Sequence, residues 1–319
     1  MQHIVTLTLS PTIDMSSHVE HVVPERKLRC DEPRAEPGGG GVNVARALRR
    51  FGLDPLALFT AGGHTGQRLI ELVELETVRT RAIPIDGLTR ENVTIREDSS
   101  ALQYRFCMPG PALRPAEWER ILEALEALEP APELLIASGS VPPGLPEDAY
   151  AQIARLATRR GMRMILDTSG PPLRAALDAG LYMIKPNLAE LAWLEGEEWI
   201  TDEEHLWFAA SRIVREHACA AVLVSLGAGG ALVVTAEASL RIPAPPVRPE
   251  SKVGAGDSMV AGTVWGLAQD WTVLEAAALG VAAGAAAVMT PGSDLCQRAE
   301  TEHLHAQMRA RQQPFGAIS

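Results

Sequence analysis

The sequence has few of the features that mark secreted, metal-binding or redox proteins. Its four cysteines are widely scattered among 319 residues and show no Cys-x-x-Cys spacing, so neither a disulfide framework nor a zinc or dithiol site is expected. The first residues show no basic segment followed by a long apolar one, so no secretion signal is expected. We therefore expect a cytoplasmic protein with reduced thiols.

Positive charge is also scarce. The chain has 29 Lys and Arg against 40 Asp and Glu, a formal net charge of -11, whereas nucleic-acid binding depends on clustered positive charge. The longest apolar stretch, near residues 276–289, is rich in Ala and Gly and too short to span a bilayer. The sequence thus predicts no nucleic-acid partner and no membrane span, and it predicts a buried helix at this stretch.

Short β-branched segments alternate with longer helical patterns, which is typical of a parallel sheet with helices on both faces. Helical periodicity is clearest at residues 42–51 and 116–128. Core strands are predicted at residues 4–9, 56–60, 134–137, 164–166, 183–184, 221–225 and 231–235. A chain of 319 residues fits one large α/β unit, so we expect a single domain over residues 1–319.

Two segments, near residues 12–35 and 88–110, do not fit this alternation. Polar and apolar residues alternate loosely in both, and residues 97–100 indicate a turn between two strands. We interpret the two segments as an antiparallel appendage to the main sheet. Such an appendage would cover the carboxyl ends of the parallel strands, where α/β folds bind ligands.

The strongest local signal is the run Gly254-Ala255-Gly256-Asp257, which is followed by residues that can open a helix. Small side chains leave the backbone N–H groups of this turn uncovered, and the helix dipole adds to their positive potential, so the turn suits an anion. Asp257 could then accept the proton of an attacking hydroxyl as a general base. The alternative is an ordinary Gly-rich turn with Asp257 as its N-cap, and the run alone favours neither interpretation.

A second glycine run, at residues 38–41, directly precedes the helical pattern at residues 42–51. Its backbone can approach a ligand closely, and Asn43 offers a donor and an acceptor to a sugar hydroxyl. The helix that follows disfavours a flexible linker, and residues 30–37 separate the run from any strand, which disfavours a dinucleotide fingerprint. Neither glycine run ends in Gly-Lys-Ser/Thr, so a nucleotide must be held differently.

Lys185, Asn187 and Glu190 follow a short apolar strand. Glu190 could hold Mg²⁺ through water, which suits an ion that dehydrates reluctantly. The alternative is a capped helix start with Glu190 beside the N-terminal dipole, and the segment alone favours it. Residues 225–230 are another strand end with a Gly-rich turn, and in isolation this segment predicts a plain β-hairpin.

Cations cluster in the two inserted segments, at Lys27, Arg29, Arg90 and Arg105. Guanidinium groups suit a terminal phosphate better than an uncharged sugar, so they indicate a substrate that is already phosphorylated. A solvated surface is the ordinary alternative. The sequence shows no His-x-x-x-His spacing and no serine-nucleophile pattern, so metallohydrolase and serine-hydrolase functions have little support.

Taken in order, Gly38-Gly39-Gly40-Gly41-x-Asn43, Lys185-Pro186-Asn187-x-x-Glu190 and Gly254-Ala255-Gly256-Asp257 resemble the PfkB branch of the ribokinase-like carbohydrate kinases. The similarity runs from about residue 6 to residue 296, and within the family residues 24–30, 36–41 and 104–110 look most like the minor bacterial 6-phosphofructokinases. The resemblance implies a three-layer αβα core with a mainly parallel sheet, plus a small β-sheet lid that forms a homodimer.

The same resemblance implies ATP-dependent phosphorylation of fructose 6-phosphate at O1. Tagatose 6-phosphate and fructose 1-phosphate are alternative substrates within the family. A catalytically idle sugar-phosphate sensor is a further alternative, against which the presence of Asp257 argues, and a dinucleotide-binding oxidoreductase is disfavoured because no glycine fingerprint directly follows a strand.

The resemblance further implies a role for each matching residue. Asp257 would be the base, with the amides of Gly254, Ala255 and Gly256 as the anion hole. The residues expected to hold the sugar phosphate are Asp14, Lys27, Gly39, Gly40, Asn43, Arg90, Arg105 and Ser140. The residues expected to hold ATP and Mg²⁺ are Lys185, Asn187, Ser225, Gly227 and Val281, with Glu190 for the metal. A K⁺ site is implied around Ser251, Val253, Ala287, Thr290 and Gly292, where Lys252 and Asp294 depart from the residues usual in the family.

Overall fold

The computed structural model describes residues 3–251, 253–290 and 294–311. Its strands are β1 (Ile4–Thr8), β2 (Thr12–Val19), β3 (Arg34–Gly38), β4 (Leu56–Ala61), β5 (Arg79–Pro84), β6 (Arg90–Glu97), β7 (Gln103–Phe106), β8 (Leu134–Ser138), β9 (Arg163–Asp167), β10 (Leu181–Ile184), β11 (Cys219–Ser225), β12 (Ala231–Thr235) and β13 (Ser239–Ile242). Its helices are α1 (Gly40–Arg50), α2 (Gly63–Leu75), α3 (Pro115–Glu126), α4 (Ala149–Arg159), α5 (Pro171–Ala176), α6 (Leu188–Glu195), α7 (Glu203–Glu216), α8 (Ala255–Leu267), α9 (Val273–Val288) and α10 (Arg298–Arg311).

The main sheet has the strand order β13-β12-β11-β10-β9-β8-β1-β4-β5. In this order the strands from β11 to β5 are mutually parallel, whereas β12 is antiparallel to β11 and β13 is antiparallel to β12 at the other edge. Each predicted core strand is present, but β5 and β13 were not predicted. Both are edge strands, and β5 alternates arginines with smaller residues, so neither shows the continuous apolar pattern of a strand buried on both faces.

Helices cover both faces of this sheet and make the predicted three layers. In β4, Leu58 packs into the cluster that includes residues of α3 to α7, whereas Phe59 packs on the opposite face with residues of α1 and α2. Helices α8, α9 and α10 extend the second face. The Ala- and Gly-rich stretch forms the buried α9, as predicted, and a Cβ on Gly262 of α8 would lie 2.6 Å from the Cβ of Ala283.

No helix within the described ranges combines the length and apolar character that a bilayer crossing requires.

A second, smaller sheet has the order β3-β2-β6-β7, and we call it the small sheet. The prediction of an antiparallel appendage is partly wrong, because its central pair, β2 and β6, is parallel. The flanking pairs are antiparallel, and the predicted turn after Glu97 connects β6 to β7. The parallel pairing has a simple origin, since β2 follows the carboxyl end of β1 and β6 follows that of β5, so both strands leave the same edge of the main sheet.

Candidate active site

Asp257 lies in the first turn of α8 and points away from its own helix. Gly254 is the N-cap residue, with a left-handed φ of 74° that favours glycine. Asn43 Nδ2 donates to Asp257 Oδ2 over 2.9 Å, and Ser138 Oγ lies 3.4 Å from Asp257 Oδ1. The alternative that Asp257 is the N-cap is therefore wrong. The carboxylate of Asp257 thus contacts α1 through Asn43 and β8 through Ser138, and the turn formed by residues 254–256 directly precedes it in the chain.

The glycine run brings α1 close enough to reach this carboxylate. A Cβ on Gly40 would lie 2.0 Å from Ser138 Oγ, and one on Gly38 would lie 2.1 Å from a carboxylate oxygen of Asp14. Val42 N donates to Thr8 Oγ1 over 2.8 Å, which ties the first turn of α1 to the end of β1. Only glycines allow this approach, so the requirement for glycine at these two positions comes from packing against Ser138 and Asp14, and close approach of the run to a ligand stays a prediction.

The pKa of Asp257 is raised to about 7, mainly by burial among protein groups and further by the negative charge of Asp167. Hydrogen bonding from Asn43 and the positive charge of Lys185 act in the opposite direction. A carboxyl group that titrates near neutrality can take up a proton and release it again at physiological pH. The electrostatics therefore fit a general base.

Lys185 lies beside the turn that opens α8. Its Nζ is 3.2 Å from Asp167 Oδ1, and a Cβ on Gly256 would lie 3.5 Å from that Nζ. Burial alone would lower the pKa of Lys185, but the carboxylate of Asp167 reverses the effect and raises it. The ammonium group thus stays charged at the place where an anion would meet the amides of the turn.

Two residues of this site, Ser138 and Asp167, were missed by the sequence reasoning. Both are the last residues of adjacent parallel strands, β8 and β9. Their only sequence signal is that a polar residue follows an apolar strand, a position that parallel sheets place at the ligand-binding edge. Ser140, which was expected to hold a phosphate, is exposed and lies just beyond β8.

The residues expected to hold ATP lie at the ends of β10 and β11. Asn187 forms a parallel bridge with Ser225, and Ser225 N donates to Pro186 O over 2.9 Å. Gly227, with φ 56°, begins the exposed 3₁₀ turn Gly227–Gly229 that joins β11 to β12 as a hairpin. Val281 differs from this group because it is only 2% exposed in the core on α9, which does not favour contact with an adenine ring.

Glu190 takes part in the helix cap that was considered as the alternative to a metal site. Asn187 N donates to Glu190 Oε2 over 2.8 Å, and Glu190 N donates to Asn187 Oδ1 over 2.9 Å. Burial raises the pKa of Glu190, an effect that the nearby Lys185 opposes. Among the residues that the structure describes, no three His, Cys, Asp or Glu side chains form a group suited to a metal ion. Magnesium binding through Glu190 stays a prediction.

On the other side of Asp257, the small sheet presents Asp14, Asn92 and Arg105 on one face. Asn92 Nδ2 donates to Asp14 Oδ1 over 2.9 Å. Burial raises the pKa of Asp14, although that hydrogen bond and the charges of Arg105, Arg90 and Arg46 oppose the rise. Arg90 donates from Nη2 to Ser10 O over 3.0 Å. Asp14 and Arg105 therefore line one cavity together with Asn92, and the charge of Arg90 acts on Asp14, whereas Asn43 contacts Asp257.

Lys27 is not brought to this cavity within one chain. It lies in the exposed segment between β2 and β3, and no ion pair within the described ranges joins it to the site.

The residues expected to bind K⁺ gather where α9 ends. Thr290 Oγ1 lies 2.7 Å from both Ala287 O and Asp294 O and can donate its one hydrogen to either of them. Val253 N donates to Ser251 Oγ over 3.2 Å, and Ser251 N donates to Val288 O over the same distance. Gly292 and Lys252, which belong to the same prediction, lie outside the described residues.

A carboxylate in the first turn of a helix that opens on a glycine turn, at the strand ends of an αβα sandwich with a second sheet, is compatible with a small-molecule kinase. The chain belongs to the pfkB family of carbohydrate kinases, whose sequence model matches residues 1–300. The predicted family is thereby confirmed.

Proteins similar to this chain carry more specific names. The chain is 42% identical to "ATP-dependent 6-phosphofructokinase isozyme 2" of Mycobacterium tuberculosis over 299 residues. This aligned region covers 94% of this chain and 88% of that protein. Phosphofructokinase-2 from Escherichia coli in complex with potassium matches with a TM-score of 0.93 and 40% identity, over 97% of this chain and 100% of that one. The same enzyme in complex with fructose-6-phosphate matches with a TM-score of 0.91 and 39% identity, over the same shares.

Proposed function

We propose that this chain transfers the γ-phosphoryl group of ATP to O1 of fructose 6-phosphate, giving fructose 1,6-bisphosphate and ADP. The observation that carries the proposal is the position of Asp257, whose carboxyl group has a pKa of about 7 and contacts Asn43 and Ser138 from the first turn of α8. The names of the similar proteins support the choice of substrate.

In the proposed reaction, Asp257 accepts the proton of the O1 hydroxyl while that oxygen attacks the γ-phosphorus. The bond between the γ-phosphorus and the bridging oxygen breaks, and ADP leaves with the electron pair. The amides of Gly254, Ala255 and Gly256, together with the dipole of α8, stabilise the charge on the transferring group. Lys185 adds a positive charge beside these amides.

The sugar phosphate is proposed to bind under the small sheet. Its phosphate is proposed to meet the guanidinium groups of Arg90 and Arg105, and Ser140, which is exposed just beyond β8, is proposed to contact it as well. The residues proposed for the sugar hydroxyls are Asp14, Gly39, Gly40 and Asn43. Since Lys27 is remote within one chain, we propose that it reaches the phosphate from a second copy, in a homodimer formed through the small sheet.

ATP is proposed to lie along the ends of β10 and β11, on Lys185, Asn187, Ser225 and Gly227. A bound Mg²⁺ would neutralise phosphate charge, and a single water-mediated carboxylate such as Glu190 suits an ion that keeps most of its waters. Main-chain oxygens at the end of α9 suit K⁺ binding near Ser251 and Thr290. Because the phosphoryl donor is ATP, we place the enzyme in the cytoplasm.

An ADP-release assay tests this proposal across fructose 6-phosphate, tagatose 6-phosphate, fructose 1-phosphate and fructose. We expect the highest kcat/KM with fructose 6-phosphate and little activity with fructose, which lacks the phosphate for Arg90 and Arg105. A higher kcat/KM with one of the other sugar phosphates would replace the proposed substrate while leaving the proposed chemistry in place.

The variant Asp257→Asn tests the chemistry. Losing the base should lower kcat by roughly 10²-fold or more and leave the KM for ATP nearly unchanged. The matched control is Asp148→Asn, which changes an aspartate at the start of α4 whose carboxylate pairs with Gln152 and Arg155. Near-normal kcat in Asp257→Asn would refute the assignment of the base.

A further inference from the structure

Arg46 is a charged residue in the interior of the chain, only 1% exposed, on the face of α1 that carries Asn43. Its Nη1 donates to Pro37 O over 2.8 Å and to Asn43 Oδ1 over 3.2 Å. Its Nε donates to Glu76 Oε1 over 2.7 Å, which holds the guanidinium from the other side. Arg46 thus contacts the residue that contacts the proposed base.

This contact decides which way the Asn43 amide faces. A guanidinium group has N–H donors and no acceptor, so the Asn43 atom that faces Arg46 must be the oxygen. The amide nitrogen is then directed at Asp257 Oδ2, 2.9 Å away. Without Arg46 the amide could turn about its terminal bond, because that torsion has a broad two-fold preference, and present its oxygen to Asp257.

The orientation matters because the two ends of the amide favour opposite forms of the carboxyl group. An N–H donor stabilises the ionised carboxylate, whereas an amide oxygen can bond only to the protonated acid. The other groups around Asp257 are the hydroxyl of Ser138, the carboxylate of Asp167 and the ammonium of Lys185. Asp167 raises the pKa of Asp257 and Lys185 lowers it, so the two charges partly cancel. The hydrogen bond from Asn43 therefore has a clear effect on this pKa.

We propose that Arg46 is a positioning residue for phosphoryl transfer. By holding the oxygen of Asn43, it makes Asn43 a hydrogen-bond donor toward Asp257 and toward the sugar hydroxyl that Asn43 meets. This inference rests on the proposed role of Asp257 as the base.

The test is the pH dependence of kcat/KM for fructose 6-phosphate in Arg46→Met, which fills similar space without N–H donors. One lost hydrogen bond should move the acid limb of the profile up by about one pH unit. Activity should therefore fall roughly tenfold near pH 6 and stay close to wild type near pH 9. Arg46→Lys, which keeps donors and charge, should retain a limb closer to wild type than Arg46→Met does.

Glu76→Gln is the matched control, since it weakens the salt bridge of Arg46 and leaves the contacts with Pro37 and Asn43. We expect a lower melting temperature and an unmoved pH profile. Arg46→Met leaves the carboxylates of Glu76 and Glu36 beside an uncharged side chain, which lowers stability. If it does not fold, Arg46→Met combined with Glu76→Gln carries the same expected limb shift.

A double-mutant cycle with Asn43→Ala tests the route of the effect. If Arg46 acts through Asn43, adding Arg46→Met to Asn43→Ala should not move the limb further. An equal shift in both backgrounds, or an equal loss of activity at pH 6 and pH 9, would overturn the proposal. A wild-type profile without an acid limb would instead count against Asp257 as the base, whereas a wild-type limb that Arg46→Met does not move counts against Arg46 alone.

Discussion

The raised pKa of Asp257, the proposed base, makes the stability of the folded chain depend on pH. Burial raises its pKa from 3.8 to about 7, so the folded chain binds its proton more tightly than the unfolded chain does. Between those two values stability falls as pH rises, because the native state must hold an ionised carboxylate where water is scarce. The cost is absent at pH values near 4 and is fully present above the folded pKa.

Asp257→Asn should therefore stabilise the protein at high pH. An amide has no charge to desolvate, so we expect the free energy of unfolding to rise by about 1–2 kcal/mol at pH 8, with a melting temperature higher by roughly 2–4 °C. At pH 5, about one pH unit above the unfolded pKa of 3.8, only about a third of that cost has accumulated, so the gain should be roughly a third as large. Thermal unfolding followed by circular dichroism at both pH values measures the difference, with Asp148→Asn as the control. A gain of the same size at pH 5 and pH 8 would contradict the burial of charge as its cause.

At the scale of elements, the junction between the glycine run and α1 controls the site. A Cβ on Gly40 would lie 2.0 Å from Ser138 Oγ, 2.8 Å from its Cβ and 2.9 Å from its carbonyl carbon. Rotating the serine side chain cannot remove all three contacts, because one of them is with the backbone. Helix α1 would have to move away from β8 and take Asn43 with it.

Gly40→Ala should therefore impair catalysis as well as folding. Overpacking at such a junction costs about 1–3 kcal/mol, and the displaced Asn43 should lower kcat at least tenfold by the loss of positioning. Gly161→Ala is the control, since its φ of 70° is strained for alanine but its Cβ would meet nothing within 4 Å. We expect that variant to lose about 1 kcal/mol of stability with unchanged kcat. Equal kcat in both variants would show that α1 tolerates the displacement.

The elements themselves were largely predictable from sequence, and the contacts between them were not. Periodicity gives the core strands and the two clearest helices, and the order of the three motifs gives the family. The bond between Asn43 and Asp257 joins residues 214 positions apart, and the contact between Ser138 and Asp257 spans 119 positions. Local patterns carry no information on such pairs, which is why Ser138, Asp167 and Arg46 became visible only in the folded chain.

The parallel pairing within the small sheet likewise could not be predicted from local sequence patterns. The alternation of polar and apolar residues predicted strands in the two inserted segments. Whether β2 and β6 pair parallel or antiparallel, however, depends on which edge of the main sheet each of them follows. Because β1 and β5 point the same way, their extensions do as well. The relation between the two sheets is thus a property of the whole molecule.

At the scale of the whole molecule, the small sheet has two different faces. Asp14, Asn92 and Arg105 lie on the face toward the site, as the hydrogen bond from Asn92 to Asp14 and the strand register indicate. By alternation, Val93 and its cross-strand partner Phe106 lie on the other face, where Phe106 is 53% exposed. An apolar face on a thin sheet favours association with a second copy, which would also bring Lys27 toward a site.

Phe106→Asp should therefore convert the proposed dimer into a monomer, because a carboxylate at the centre of an apolar contact loses its hydration without gaining a partner. Size-exclusion chromatography with light scattering measures the mass, and the KM for fructose 6-phosphate should rise in the same variant if Lys27 acts from a second copy. Trp199→Asp is the control, since Trp199 is 63% exposed but lies between α6 and α7, away from the small sheet. A monomeric wild type, or a Phe106→Asp variant that keeps the mass of the wild-type dimer, would contradict assembly through this face.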